Sequence, residues 1–207
     1  MAERVICTLR HAAITFGAQE IIAGRLDPPL SRSGRQQIIE MVAVNGPLDY
    51  ERVISSPLRR AFETAQIVTG LAPEDIMTSE LCLERDYGRL QGLLPGERRA
   101  VRPTTFYVSV GGVKHSLNPP GGETLEELRA RVVAFHDRML ELDWASLLVV
   151  GHQTFLQQYH GYLHGLDVYH SLAESVSYLE CTEFRLRDRA LVAAKRLYRP
   201  ERVERPW

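Results

Sequence analysis

Residues 4–11 read RVICTLRH, and residues 146–152 read SLLVVGH. Each is a short apolar run that ends on a histidine. Runs this short, rich in leucine and β-branched residues, fit buried strands. RVISS, at residues 52–56, is a third run of the same kind. Helix signals lie between and after them. Ser31 can cap a helix to about Val44, which Gly46-Pro47 ends. Ser56-Pro57 opens a second helix, with serine as the N-cap and proline at the first helical position, and Gly70 stops it after Thr69. Thr124-Leu-Glu-Glu127 is a capping box for a helix to about Leu142. Another helix is expected from about Phe155 to Leu163, and residues 176–199 read as two further short strands. Strands alternating with helices give an α/β domain built on a largely parallel sheet.

Residues 81–122 lack clear periodicity and carry Pro95, Gly96, Pro103, Gly111, Gly112, Pro119, Pro120, Gly121 and Gly122. A long irregular insertion in a compact domain is usually a lid or binding loop.

The 207 residues suit one domain, 1–207, with a buried core. Hydrophobic residues at 44% and charged residues at 25% are ordinary for a globular chain. A net charge of −1 argues against nucleic-acid binding through a basic field. Lys114 and Lys195 are the only lysines, so positive charge is almost all arginine, which suits bidentate phosphate recognition. Cys7, Cys82 and Cys181 are odd in number and have no CxxC spacing, which argues against a disulfide framework or a zinc site. No run reaches the length of a membrane span, and a cytoplasmic location is expected. A homo-oligomer is compatible with this sequence.

In open α/β sheets, ligands bind at the carboxyl ends of strands. Arg10-His11 and His152 fall at two such ends, and Arg59-Arg60 lies just after a third. Phosphoryl transfer asks a protein chiefly for placement and charge compensation. A neutral imidazole, with an ordinary pKa of about 6.5, can attack phosphorus and carry the phosphoryl group. Arginines can neutralise its oxygens, and a carboxylic acid can protonate the leaving alkoxide. Glu84 is the best candidate acid, because it sits in the irregular segment that would roof the pocket. No cluster of histidines, cysteines and carboxylates reads as a metal-site motif, so no metal or other cofactor is expected.

These pieces resemble the histidine phosphatase (phosphoglycerate mutase-like) superfamily. Arg10-His11-Ala12 is similar to its Arg-His-Gly opening, and Gly24-Arg-Leu-Asp27-Pro-Pro-Leu30-Ser31-Arg-Ser-Gly34 to the segment that follows. Ser56-Pro-Leu58-Arg-Arg60-Ala61-Phe-Glu-Thr64-Ala65 matches the next signature completely. Leu83 to Leu93 resembles the acid-bearing loop of cofactor-dependent phosphoglycerate mutases. Gly122-Glu123-Thr124 and Val149-Val150-Gly151-His152 resemble the two late motifs. The resemblance implies a three-layer α/β/α sandwich with a mixed, mainly parallel sheet, and a small phosphorylated substrate.

It also implies His11 as the phosphorylated nucleophile, Arg10, Arg60 and His152 as phosphate-pocket residues, and Glu84 as the proton donor. Gly24, Tyr87, Arg98 and Arg99 are assigned to substrate binding. A phosphomonoesterase is the expected activity. A mutase and a non-catalytic phosphate-ligand-binding member are the alternatives. Three positions depart from the pattern. Ala12 replaces a glycine, which is expected to narrow the approach to phosphate or strain a tight turn. Gly17 replaces a phosphate-touching asparagine, and Gln153-Thr154 replaces the glycine after the second histidine.

Overall fold

The computed structural model describes residues 3–16, 19, 21–101 and 105–200, with the Arg99 side chain outside that description. Six strands form one mixed sheet: β1 (Glu3–Arg10), β2 (Arg52–Ser55), β3 (Met77–Thr78), β6 (Ser146–Gly151), β7 (Cys181–Arg187) and β8 (Ala190–Tyr198). Their order is β3-β2-β6-β1-β7-β8. The first four run parallel, whereas β7 and β8 are antiparallel. Four helices pack against the sheet: α1 (Arg32–Asn45), α2 (Arg59–Thr69), α3 (Leu125–Leu140) and α4 (Gln153–Leu163).

Alternation along the strands divides the core in two, because successive side chains point to opposite faces. Ile6, Ile54, Leu147 and Val149 face Val132, Phe135 and Met139 of α3 and Phe155 and Tyr159 of α4. Cys7, Leu9, Val53, Leu148 and Val150 face Ile38 and Met41 of α1 and Ala61, Ala65 and Val68 of α2. The expected three-layer sandwich is therefore present. Both faces of β1 and β6 are covered, which is why those strands read as continuous apolar runs.

The helix starts show local signals winning and losing. Ser31 caps α1 as expected, its Oγ accepting from Gly34 N at 2.9 Å. Thr124 and Glu127 close the full capping box on α3. Ser56 does not cap α2. Its Oγ accepts from Leu58 N at 3.3 Å in a tight turn, and the helix begins only at Arg59. The Arg59 N–H is instead taken by the carboxylate of Asp27, 2.8 Å away. Helix α4 begins at Gln153, two residues before the expected Phe155, and its first N–H groups go to the Glu84 carboxylate. A remote carboxylate thus caps each of the two helices that flank the site, where the helix dipole favours negative charge.

Residues 81–122 are less irregular than their sequence suggests. They hold 3₁₀ turns at Glu80–Cys82, Gly88–Leu90 and Glu97–Ala100, and a hairpin of β4 (Tyr107–Val110) and β5 (Val113–Ser116). Its two-residue turn is Gly111-Gly112, with φ of +56° and +79°, a conformation open mainly to glycine. Buried Arg85 ties the hairpin down, donating to the carbonyls of Ser116 (2.6 Å), Leu117 (2.8 Å) and Glu123 (2.8 Å). From α3, Arg131 donates to the carbonyls of Leu81 (2.9 Å) and Leu83 (2.8 Å) and pairs with Glu123 at 2.7 Å. Among the described residues, no helix is long and apolar enough to cross a membrane.

Candidate active site

Three neighbouring strand ends build the floor of the site. Arg10 of β1 stands beside Gly151 of β6, His11 N donates to Gly151 O at 3.0 Å, and Ser56 N donates to Val150 O at 3.1 Å. The chain therefore leaves the sheet at one edge in all three places. Arg10, His11, Arg60 and His152, far apart in sequence, meet there.

His11 is buried, 4% exposed. Its Nδ1 lies 2.7 Å from Ala12 O, and its Nε2 lies 3.3 Å from Arg60 Nε. A carbonyl can only accept and an arginine N–H can only donate. The contacts therefore assign the proton to Nδ1 and make Nε2, which accepts from the Arg60 Nε–H, the unprotonated nitrogen. Arg60 is held as a fork, with Nη1 donating to Leu26 O (2.6 Å) and Nη2 to Gly24 O (2.7 Å). Gly24 serves this site through its backbone, in a left-handed turn at φ +51°. A side chain there would collide with Gln91, whose Oε1 accepts from Arg25 N at 2.6 Å.

His152 is fully buried, and its ring centroid lies 5.1 Å from that of His11. Both of its ring nitrogens, and Arg10 Nε, are buried without a partner among the described residues. Unsatisfied buried polar atoms cost free energy, and three in one cluster, two donors and one acceptor when His152 is neutral, mark a place made to receive a polar ligand. Electrostatics agree. Burial, and then the charges of Arg60 and Arg10, hold the His11 imidazole well below the ordinary histidine range. Burial followed by Arg60 and His11 does the same for His152. Two cations beside two neutral rings give a compact positive pocket.

Glu84 reaches the site from the 81–93 segment. Its Oε1 accepts from Arg85 N (2.8 Å), Thr154 N and Phe155 N (both 3.2 Å), while Oε2 shares only Thr154 N, also at 3.2 Å. The carboxylate lies close enough to Arg10 and Arg60 to act on both electrostatically. Its backbone carbonyl is within 3.4 Å of Arg131 Nη2. Tyr87 plays a supporting part, with its hydroxyl paired to Thr154 Oγ1 at 2.8 Å in the first turn of α4. Arg98 lies in the 97–100 turn and donates to Leu93 O at 3.4 Å. The Arg99 side chain and Arg102, like Gly17, fall outside the described residues.

The expectation of strain at Ala12 is not met. Among the described non-glycine residues only Leu179, Asp188 and Arg189 have positive φ, and the Ala12 methyl is fully buried among the residues over α1 and α2. Ala12 N donates to Thr64 Oγ1 at 3.2 Å, so the turn is hydrogen-bonded. Gln153 is exposed at the first position of α4.

Sequence reading missed Tyr178, whose ring lies 3.9 Å from the Arg10 guanidinium carbon and 5.6 Å from the His11 ring. It sits in a run read only as strand, so no signal marked it. Asp27 was visible in the Gly24–Gly34 motif, but its capping of α2 depends on tertiary structure. Among the described residues, no three His, Cys, Asp or Glu side chains form a metal-binding group.

The strand-end histidines, the forked arginine and the three-layer fold define an α/β protein with a buried histidine–arginine cluster at its strand ends. The chain belongs to the histidine phosphatase superfamily (branch 1), whose family model matches residues 6–196. It is 33% identical over 149 residues to phosphoglycerate mutase-like protein 4 of Arabidopsis thaliana, an alignment covering 70% of this chain and 64% of that protein. It is 30% identical over 128 residues to the uncharacterized phosphatase PhoE of Bacillus subtilis, covering 62% of this chain and 60% of that protein. The chain thus spans less than two thirds of the length of either relative. Its fold is similar to that of the alpha-ribazole phosphatase of Shigella flexneri, with a TM-score of 0.77, 17% identity, and coverage of 90% of this chain and 93% of that one.

Proposed function

We propose that this chain is a phosphomonoester hydrolase that works through a phosphohistidine on His11. The observation that carries the reading is the His11 Nε2 lone pair held 3.3 Å from Arg60 Nε, beside Arg10 Nε and both His152 nitrogens, which are buried without a hydrogen-bond partner among the described residues. In the first step Nε2 forms a bond to phosphorus and the ester P–O bond breaks. The leaving alkoxide takes a proton from the Glu84 carboxyl, through Oε2, the less engaged oxygen. In the second step water attacks phosphorus, gives its proton to Glu84, and the N–P bond breaks to release inorganic phosphate. Arg10, Arg60 and His152 hold the non-reacting oxygens throughout. This charge comes from side chains, so activity should persist in a chelator.

The substrate side is assigned to the Gly24 turn, Tyr87 and the Arg98–Arg99 turn. The 81–122 segment serves as a lid on a single domain spanning 1–207, and its anchoring through Arg85 and Arg131 supports that reading. A hydrolase is favoured over a mutase because Leu94-Pro95 follows the acid-bearing segment where such mutases carry a lysine. The mutase reading draws on Arg98, Arg99 and Arg102 as a substitute clamp. Supplying 3-phosphoglycerate with 2,3-bisphosphoglycerate separates the two. Inorganic phosphate should appear faster than 2-phosphoglycerate, and the reverse order overturns the hydrolase assignment.

A further inference from the structure

We infer that Tyr178 is a positioning residue for phosphate binding, acting through Arg10; this rests on the reading of Arg10 as a phosphate ligand. The turn at 176–180 wraps Arg10 on several sides. Val176 O accepts from Arg10 Nη1 at 2.7 Å, and Glu180 O accepts from Arg10 N at 3.2 Å. Leu179 N donates to Arg10 O at 3.0 Å, with Leu179 in a left-handed conformation at φ +55°. The Tyr178 ring then lies against the guanidinium, 3.9 Å from its central carbon.

That geometry answers a physical problem. Arg10 has a buried Nε with no hydrogen-bond partner among the described residues, and burial lowers its pKa. A flexible guanidinium in that state would lose rotamer freedom when it gripped phosphate. The negative ring face offsets part of the desolvation and fixes the plane of the fork before ligand arrives. The same ring lies 5.6 Å from the His11 imidazole, so it borders both the cation and the nucleophile. The turn is itself anchored. Ser177 N donates to Glu180 Oε2 at 3.0 Å, and the buried Glu180 carboxylate pairs with Arg196 at 2.9 Å and Arg199 at 3.3 Å. Strand β8 at the sheet edge is thereby tied to the phosphate pocket.

The test is calorimetric titration of inorganic phosphate into wild type, Tyr178→Phe and Tyr178→Leu, with kcat and KM on p-nitrophenyl phosphate beside it. Removing the ring face should weaken phosphate binding roughly 3- to 30-fold and raise KM more than it lowers kcat. Tyr178→Phe keeps the face and should restore most of the affinity. In an Arg10→Ala background, Tyr178→Leu should add little, because the cation it faces is gone. Phosphate affinity unchanged in Tyr178→Leu, or lost equally in Tyr178→Phe, overturns the inference. So does a full effect of Tyr178→Leu on top of Arg10→Ala. Titration needs no turnover, so phosphate binding that follows this pattern without a phosphoenzyme would defeat the catalytic reading and leave Tyr178 standing.

Discussion

The Nε of Arg60 faces the Nε2 of His11 across 3.3 Å, while the two terminal nitrogens of Arg60 are occupied by the carbonyls of Leu26 and Gly24. One guanidinium therefore links the strand-end histidine, the first turn of α2 and the Gly24–Asp27 loop.

Arg60→Lys keeps the charge and removes the fork. An ammonium cannot reach all three acceptors, and a buried carbonyl is left without a donor. The expected result is a fall in kcat/KM on p-nitrophenyl phosphate of roughly 10²–10³-fold, with a lower melting temperature. Activity within about threefold of wild type would place Arg60 outside the phosphate pocket, since loss of a single charge-assisted bond exceeds that.

Glu84→Gln keeps the shape and the capping oxygen but removes the acid. It should slow alkyl phosphates by roughly 10²–10⁴-fold and aryl phosphates, whose leaving groups need no proton, much less. Equal losses on both classes would make Glu84 a cap of α4 only, the role its bonds to Thr154 N and Phe155 N already give it.

The histidines predict the pH response. His11 must be neutral to attack, and burial with Arg60 and Arg10 holds its pKa well below 6.5. Protonation of His11 should therefore not limit kcat/KM as pH falls through 6.5. An acid limb centred at or above that value, after correction for substrate ionisation, contradicts the assignment.

Stability should move the other way. His160, buried on Thr8 at 2.8 Å, has its pKa pushed down to about 3, and His11 and His152 are also depressed. The unfolded chain binds these protons near pH 6.5 and the native one only at lower pH, so native stability is full above about 6.5 and declines as pH falls below it. Thermal melts from pH 8 to 4 should show a falling midpoint. A midpoint that rises over that range would contradict buried neutral imidazoles.

What the sequence made legible was whatever local pattern controls. Apolar runs fixed β1, β2 and β6, and the Thr124–Glu127 box fixed the start of α3, because strand burial and capping are written within a few residues. Two helix starts were misplaced because their caps, Asp27 and Glu84, are supplied from dozens of residues away. The β4–β5 hairpin was missed although Gly111-Gly112 is a turn signal, since its strands are only four residues each and largely exposed, with no long apolar run to mark them. His11, His152 and Arg60 were recognisable from their strand-end positions. Tyr178 was not, because only the antiparallel addition of β7 to β1 brings its turn over Arg10.

The central claim is covalent catalysis at His11, and rapid-quench trapping with ³²P-labelled substrate tests it most directly. Label should accumulate on the protein during the first turnover, map to His11 by mass spectrometry, and be labile in acid and stable in base. His11→Ala should abolish both label and activity. Turnover with no trapped phosphoryl group, label on another residue, or unchanged activity in His11→Ala would contradict the account.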